Sequence, residues 1–211
     1  MRIVDLSHPI EANMNVFPGD PIPEIVPLAV MERDGYRTKR ISLCTHTGTH
    51  IDAPAHMIVD GVTLDKMPCE RFFGTALMAD IHTHVGLVEF TDLDTSAEEL
   101  ASADFLIFYT GYGEKWQSKE YLNDFPTLSR ECASKLVAAG LKGIGVDTIS
   151  VDPVTSEDCA IHKILLSSGL VILENLCNLH RLPHGKPFRI AAFPLPIKCA
   201  DGAPARIVAI V

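Results

Sequence analysis

Ser129-Arg-Glu-Cys-Ala-Ser-Lys-Leu-Val-Ala-Ala-Gly140-Leu-Lys-Gly-Ile-Gly-Val-Asp147 reads as a helix, a short turn and a buried strand. Ser129 can cap the helix with its side-chain oxygen, the residues through Ala139 favour helix, and Gly140 suits the left-handed position that ends one. Lys142 to Asp147 is then a short apolar strand. The same alternation extends in both directions. Downstream, a helix is expected from about Ser156 to Ser168, ended by Gly169 and followed by a buried strand at Leu170 to Leu173, with Glu174 directly after it. Upstream, Ser96-Ala-Glu-Glu has the form of a capping box for a short helix. Asp104 to Tyr109 is a strand running into Thr110-Gly111-Tyr112-Gly113, and Gly74 to Ile81 is another. Short apolar strands alternating with helices imply parallel crossover units and an α/β class. The last strand, Arg206 to Val211, is nearly all apolar and is expected to be central or at an oligomer interface.

The N-terminal part has a different character. Ile3 to Leu6 is a short strand signal. Residues 9–27 then contain Pro9, Pro18, Pro21, Pro23 and Pro27, with Pro18-Gly19-Asp20 as a turn, and read as a long ordered loop. Phe17 on this loop either packs against an aromatic substrate or serves as an ordinary anchor. Residues 37–45 look like a strand leading into the most chemically loaded part of the chain.

That part is His46-Thr-Gly-Thr-His50-Ile-Asp52-Ala-Pro-Ala-His56. Three imidazoles and a carboxylate fall within one short run, a donor set that suits zinc, manganese or iron better than magnesium or calcium. All four residues are evenly numbered, so an extended segment points them to one face. A straight strand at ~3.3 Å per residue would hold His46 and His50 ~13 Å apart, too far to share an ion. The chain must bend between them, and Gly48 permits it. A helix, as in HExxH zincins, is disfavoured by Thr-Gly-Thr. The expected arrangement is a kinked loop in which His46, His50 and Asp52 form a three-ligand cup, with His56 close enough to act on whatever the metal binds.

Other candidates are weaker. Cys44 is read as a small hydrophobe under the loop rather than a ligand, His8 as structural, and His82 and His84 as a solvated strand end. Asp147 and Asp152 lie on a loop without an adjacent His and are expected to bind loop amides. Cys44, Cys69, Cys132, Cys159, Cys177 and Cys199 form no C-x-x-C pair and are expected to be free thiols in a reducing cytosol.

The central run resembles the H-x-G-T-H-x-D-x-P-x-H signature of the metal-dependent cyclase/hydrolase family, which includes bacterial kynurenine formamidase and isatin hydrolase. The likeness continues in order through Asp5-Leu-Ser-His-Pro-Ile10, Phe17-Pro-Gly-Asp20, Thr110-Gly111, Gly145-Val-Asp-Thr-Ile-Ser-Val-Asp-Pro153, His162, Glu174-Asn-Leu176, Pro194-Leu-Pro-Ile-Lys198 and Asp201-Gly-Ala-Pro-Ala-Arg206. The resemblance implies a swivelling β/β/α layered α/β fold with a small barrel-like mixed sheet flanked by helices. It implies His162 and Glu174 as the residues that complete the metal site. In the formamidase branch it implies two zinc ions, with Asp52 bridging and His162 and Glu174 serving the second; in the isatin hydrolase branch, one manganese. The presence of both His162 and Glu174 favours two ions. The substrate implied is an aryl formamide such as N-formylkynurenine, or a cyclic amide such as isatin. A homodimer or tetramer is implied, with the N-terminal loop bordering a neighbour's site. One departure is Phe17, where formamidases commonly carry Trp before the Pro-Gly-Asp turn.

Size and composition frame this expectation. The 211 residues suit a single domain spanning 1–211, and a composition 47% hydrophobic and 21% charged is that of a globular protein. A net charge of −9 argues against nucleic acid or an anionic membrane as a partner. No stretch approaches the ~18–20 apolar residues of a membrane span, and the N-terminus carries no apolar leader, so the cytoplasm is expected. There is no Gly-x-Ser-x-Gly elbow, Walker loop or dinucleotide fingerprint. Metal-assisted hydrolysis remains, of a C–N bond as the resemblance implies, with His56 as general acid and either His56 or Glu174 as the base that deprotonates water. The rivals are a cyclase or lyase using the same metal cup, and a metal-binding protein without catalysis.

Overall fold

The strands expected near 74–81, 104–109, 142–147 and 170–173 lie side by side and parallel in the computed structural model, which describes residues 1–211. In chain order the elements are β1 (Ile3–Asp5), β2 (Glu24–Ala29), α1 (Met31–Asp34), β3 (Thr38–Ser42), β4 (His50–Asp52), β5 (Phe73–Asp80), β6 (Leu87–Val88) and α2 (Ala97–Ala101). They continue as β7 (Phe105–Tyr109), β8 (Thr127–Leu128), α3 (Arg130–Ala138), β9 (Gly143–Val146), α4 (Ala160–Ser167), β10 (Val171–Glu174), β11 (Phe188–Pro194) and β12 (Gly202–Ile210).

Seven strands close a mixed barrel in the order β12-β11-β5-β7-β9-β10-β4, with β4 returning to β12. Closure depends on the length of β12. One half of its free edge pairs antiparallel with β1, Ile210 opposite Ile3, and the other half with β4, Gly202 opposite Asp52 and Pro204 opposite His50. The barrel thereby leaves few unpaired edges.

Strand alternation separates two cores. On β7, Phe105 and Ile107 point into the barrel, while Leu106 and Phe108 pack outward with Leu136 of α3 and Leu165 of α4. On β9 the inward positions are Gly143 and Gly145. A Cβ at Gly143 would stand 2.6 Å from Val171 Cγ2, and one at Gly145 2.7 Å from Ile107 Cδ1, so the interior has no room for a side chain there. Leu136 and Leu165 are fully buried; truncating either to Ala is expected to cost about 2–5 kcal/mol. A third cluster (Met14, Trp116, Tyr121, Phe125 and Ile149) pins the N-terminal loop to the segment after β7. His8 stacks on Trp116 with centroids 4.2 Å apart.

The local forecasts hold where capping chemistry is local. Ser129 accepts from the Cys132 amide, and Ser96 and Glu99 form the reciprocal capping box. Four boundaries differ. The helix expected from Ser156 begins at Ala160, because its first-turn amides at Ile161 and His162 donate to Asp152, not to Ser156. The proline-rich loop ends at Glu24, where β2 forms a ribbon with β3 outside the barrel, and residues 43–49 turn before β4 begins. The last strand begins at Gly202 rather than Arg206 and includes Pro204, whose carbonyl accepts from Leu195. No helix is long and apolar enough to cross a membrane.

Candidate metal centre

β4 is the strand that closes the barrel, and it carries His50 and Asp52 on its outward face. Glu174, at the end of β10, lies directly opposite His50 in the register. His162, in the first turn of α4, comes down onto the same face. Gly48, at φ +69°, makes the bend that the spacing demanded; a Cβ there would meet Met14 Cε at 2.9 Å. The bend returns His46 until its Nδ1 lies 2.7 Å from Asp52 Oδ1.

His46, His50, His56, His162 and Glu174 surround Asp52 from two sides. His46, Asp52 and His56 can each present a ligand atom within 4.8 Å of the others, and so can His50, Asp52 and Glu174. His162 Nε2 lies 3.3 Å from Glu174 Oε1 and 3.6 Å from Asp52 Oδ2. The single cup of His46, His50 and Asp52 expected from spacing is thus opened into two groups that share Asp52. His56 is drawn in beside His46, with ring centroids 3.9 Å apart.

Each of three imidazoles has one nitrogen anchored away from the centre. His50 Nδ1 lies 2.7 Å from the Gly48 carbonyl, which only accepts, so this nitrogen carries the proton. His162 Nδ1 donates to Asp152 Oδ2 at 2.7 Å. His46 Nε2 lies 3.0 Å from Asp201 Oδ2. Partners of this kind orient metal-binding imidazoles in general. The inner atoms are bare by comparison. His50 Nε2 lies 3.1 Å from Asp52 Oδ1 and 3.4 Å from Glu174 Oε2, yet the angles form no hydrogen bond. Asp52 Oδ2 is also buried without a hydrogen-bond partner. Two orphaned acceptors facing a buried point are costly unless a cation lies between them. The residues therefore fit a metal.

The electrostatics agree. Burial opposes charge on His46, but Asp52 and Asp201 prevail and raise its pKa to about 9. Burial likewise opposes charge on His162, and Asp152, Asp52 and Glu174 raise it well above the ordinary value. Asp52, despite complete burial, is held well below the carboxylate range by the surrounding imidazoles. The anions thus demand positive charge, which protons supply when a metal does not. His56 behaves differently, since burial lowers it.

Two partners escaped the sequence reading. Asp201 reaches both His46 and His56, its Oδ2 3.6 Å from His56 Nδ1, from a loop far along the chain. Asp152, expected to bind loop amides only, does accept from Ile161 and His162 amides but also holds the His162 ring. Asp147 behaves as expected, accepting from the Thr110 and Gly111 amides at 2.9 Å each. Cys44 is half-buried and belongs to neither ligand group. His82 and His84 make local contacts to Asp80 and the Leu87 carbonyl. Phe17 is 36% exposed and lines the cavity above the centre.

That cavity measures about 230 Å³. A cavity of ~150 Å³ already accepts benzene, so a substituted ring can enter. Its wall away from the His/Asp/Glu cluster combines Phe17, Met57, Ile149, Pro153 and Cys159 with the polar Asp20, Ser150 and Ser156, and no Lys or Arg lines it.

A closed mixed barrel bearing a His/Asp/Glu cluster on its outer face places the chain among metal-site barrel proteins. The family model described as "Putative cyclase" matches residues 4–153, and the chain belongs to this cyclase family. It is 31% identical to a kynurenine formamidase of Salinibacter ruber, over 99% of this chain and 97% of that one. It superposes on isatin hydrolase A from Labrenzia aggregata, bound to benzyl benzoate, with a TM-score of 0.86 and 23% identity, over 100% of this chain and 93% of the other. A predicted metal-dependent hydrolase from Bacillus stearothermophilus is 27% identical at a TM-score of 0.80, over 99% and 97% of the two chains.

Proposed function

We propose that the protein is a metal-dependent amidohydrolase that cleaves the C–N bond of an aryl formamide, with N-formylkynurenine as the type of substrate. The observation that carries this is Asp52 shared between two ligand groups, with Asp52 Oδ2 and His50 Nε2 bare and buried between them. The full-length likeness to kynurenine formamidase supports the bond type.

His46, His50, Asp52, His162 and Glu174 would hold two ions, zinc by preference for this nitrogen and carboxylate set, with manganese as the alternative. When bound, the metal polarises the carbonyl and makes water acidic enough to act as nucleophile at neutral pH. Water adds to the formyl carbon, the C–N bond breaks, and formate and an arylamine leave. His56 moves the protons. Burial lowers its pKa, so it rests neutral, can accept a proton from the attacking water and can return it to the leaving nitrogen. Glu174, close to His50 and His162, is the second candidate base. The apolar part of the wall, with Phe17 at the rim, holds the aryl group.

A cyclic aryl amide of the isatin kind is the second reading, since it offers the same flat apolar face and needs the same proton at nitrogen. It differs in releasing no formate. We further place the enzyme in the cytoplasm as a homodimer or tetramer. Its six cysteines are all free. The β2–β3 ribbon exposes Val26, Leu28 and Ile41, and a two-stranded ribbon is marginal alone, so a second copy of the chain is the natural cover.

The deciding experiment combines elemental analysis of protein purified without chelator with an assay on formanilide, N-formylkynurenine and isatin. About two zinc per chain and formate release support the proposal. A protein that cannot be loaded with metal overturns it; ring opening of isatin alone moves it to the second reading.

A further inference from the structure

His50 owes its orientation to groups well outside the metal centre. The Gly48 carbonyl that accepts from His50 Nδ1 also accepts from Asn175 Nδ2 at 2.9 Å. Asn175 Oδ1 in turn accepts from the Tyr121 hydroxyl at 2.8 Å, and that hydroxyl lies 3.2 Å from the Asp147 carbonyl as well. Both Asn175 and Tyr121 are completely buried.

The direction of every bond in this chain can be settled. A carbonyl cannot donate, so the Asn175 nitrogen must face Gly48 and its oxygen must face Tyr121. The same carbonyl requires His50 Nδ1 to be the protonated nitrogen. The other tautomer would set a bare Nδ1 lone pair 2.7 Å from the Gly48 carbonyl oxygen, with only Asn175 Nδ2, 3.5 Å away, to donate to it. Asn175 is itself firmly seated. It takes a left-handed conformation at φ +58°, which Asn tolerates better than most residues. Its amide donates to the Thr148 carbonyl at 3.0 Å, and its carbonyl accepts from Thr49 Oγ1 at 2.6 Å.

We propose that Tyr121 and Asn175 are positioning residues that act through the Gly48 carbonyl to lock His50 as its Nδ1–H tautomer, leaving Nε2 as the nitrogen offered to the metal. This rests on the reading of the centre as a metal site. The relay links the aromatic cluster under the N-terminal loop to one ligand of the centre, without either residue approaching substrate.

The test uses Tyr121→Phe, which keeps the ring and removes the donor, and Asn175→Asp, which keeps the acceptor for Tyr121 and removes the donor to Gly48. Imidazole 15N shifts of His50 are read in metal-free protein at about pH 8.5. Zinc affinity is measured by competition with a chromophoric chelator. The parent is expected to show a single Nδ1–H tautomer. Both variants are expected to show a mixture and to bind zinc about 10–100-fold more weakly, the range typical of lost outer-sphere partners. Asn175→Asp should be the more severe. Should Asn175→Asp fail to fold, Tyr121→Phe decides alone. A Tyr121→Phe protein with the parent tautomer and zinc affinity overturns the relay. A parent that binds no zinc overturns the metal centre instead, and the tautomer signal still decides the relay.

Discussion

The ring of His46 lies against the backbone of Gly202, where a Cβ would stand 2.5 Å from His46 Cε1 and 2.9 Å from Nε2. Gly202 opens β12 opposite Asp52, so a strand of the barrel wall sets how closely His46 approaches that carboxylate. The backbone there is not left-handed, and Gly202→Ala is sterically wrong only because of the ring. The substitution is expected to leave the fold intact while displacing His46, lowering bound metal per chain by about half and activity by at least tenfold. Elemental analysis alongside circular dichroism checks it; undiminished metal content would show that His46 is not a ligand.

Asp152 accepts from two first-turn amides of α4 and from the His162 ring at once. Asp152→Ala removes a helix cap, worth about 1–2 kcal/mol, and frees His162 to rotate. Urea unfolding should register the first effect and zinc titration the second, as a weakening of about 10–100-fold. Loss of stability without loss of zinc affinity would leave Asp152 a cap alone.

His56→Ala separates proton transfer from coordination. A general acid and base contributes about 10²–10⁴-fold to turnover, so in the role proposed for His56 the variant should lose activity in that range and keep its metal content unchanged. Because His56 also falls in a ligand group with His46 and Asp52, loss of one ion in the variant would reassign it as a ligand.

His8 offers a prediction about pH. Burial lowers its pKa to about 4, and its Nε2 has no partner. The unfolded chain binds this proton below about pH 6.5 and the folded chain only below about 4, so stability falls between those values as pH drops. The full shift would be worth about 3.4 kcal/mol, and partial exposure of the ring reduces this to about 2. His8→Phe keeps the stack on Trp116 and cannot titrate. It should match the parent at pH 7 and exceed it by about 1 kcal/mol near pH 5, as read by urea unfolding at both values. Parallel pH profiles for the two proteins would show that His8 does not carry this effect.

The sequence was most legible where one segment determines its own conformation. Ser129, Ser96 and Gly140 marked helix ends, and the apolar runs at 74–81 and 104–109 marked strands, because those signals act within a few residues. The bend at Gly48 was legible for the same reason. What could not be read was set by distant partners. Asp201 and Gly202 meet His46 only because β12 closes onto β4. Asp152 caps α4 across a loop, which moved the helix start from Ser156 to Ala160. The β2–β3 ribbon was hidden by Pro27, which an exposed ribbon tolerates and a central strand would not. The split of the ligands around Asp52 was invisible to spacing, since spacing along β4 says nothing of Glu174 across the register; only the family resemblance pointed to a shared Asp52.

Closure of the barrel has a mechanical consequence. The three-residue strand β4 is the last stave of the hoop, held between β10 and β12. It bears His50 and Asp52 at the seam, where Glu174 faces them from the adjoining stave. A cation gripped by these groups would span the joint like a clasp, and stripping it with chelator would leave the hoop to spring open there first. Amide hydrogens of Ile51 and Asp52 should then exchange faster than those of β7 on the far side, and proteases should find the 43–56 segment before any other part of the barrel.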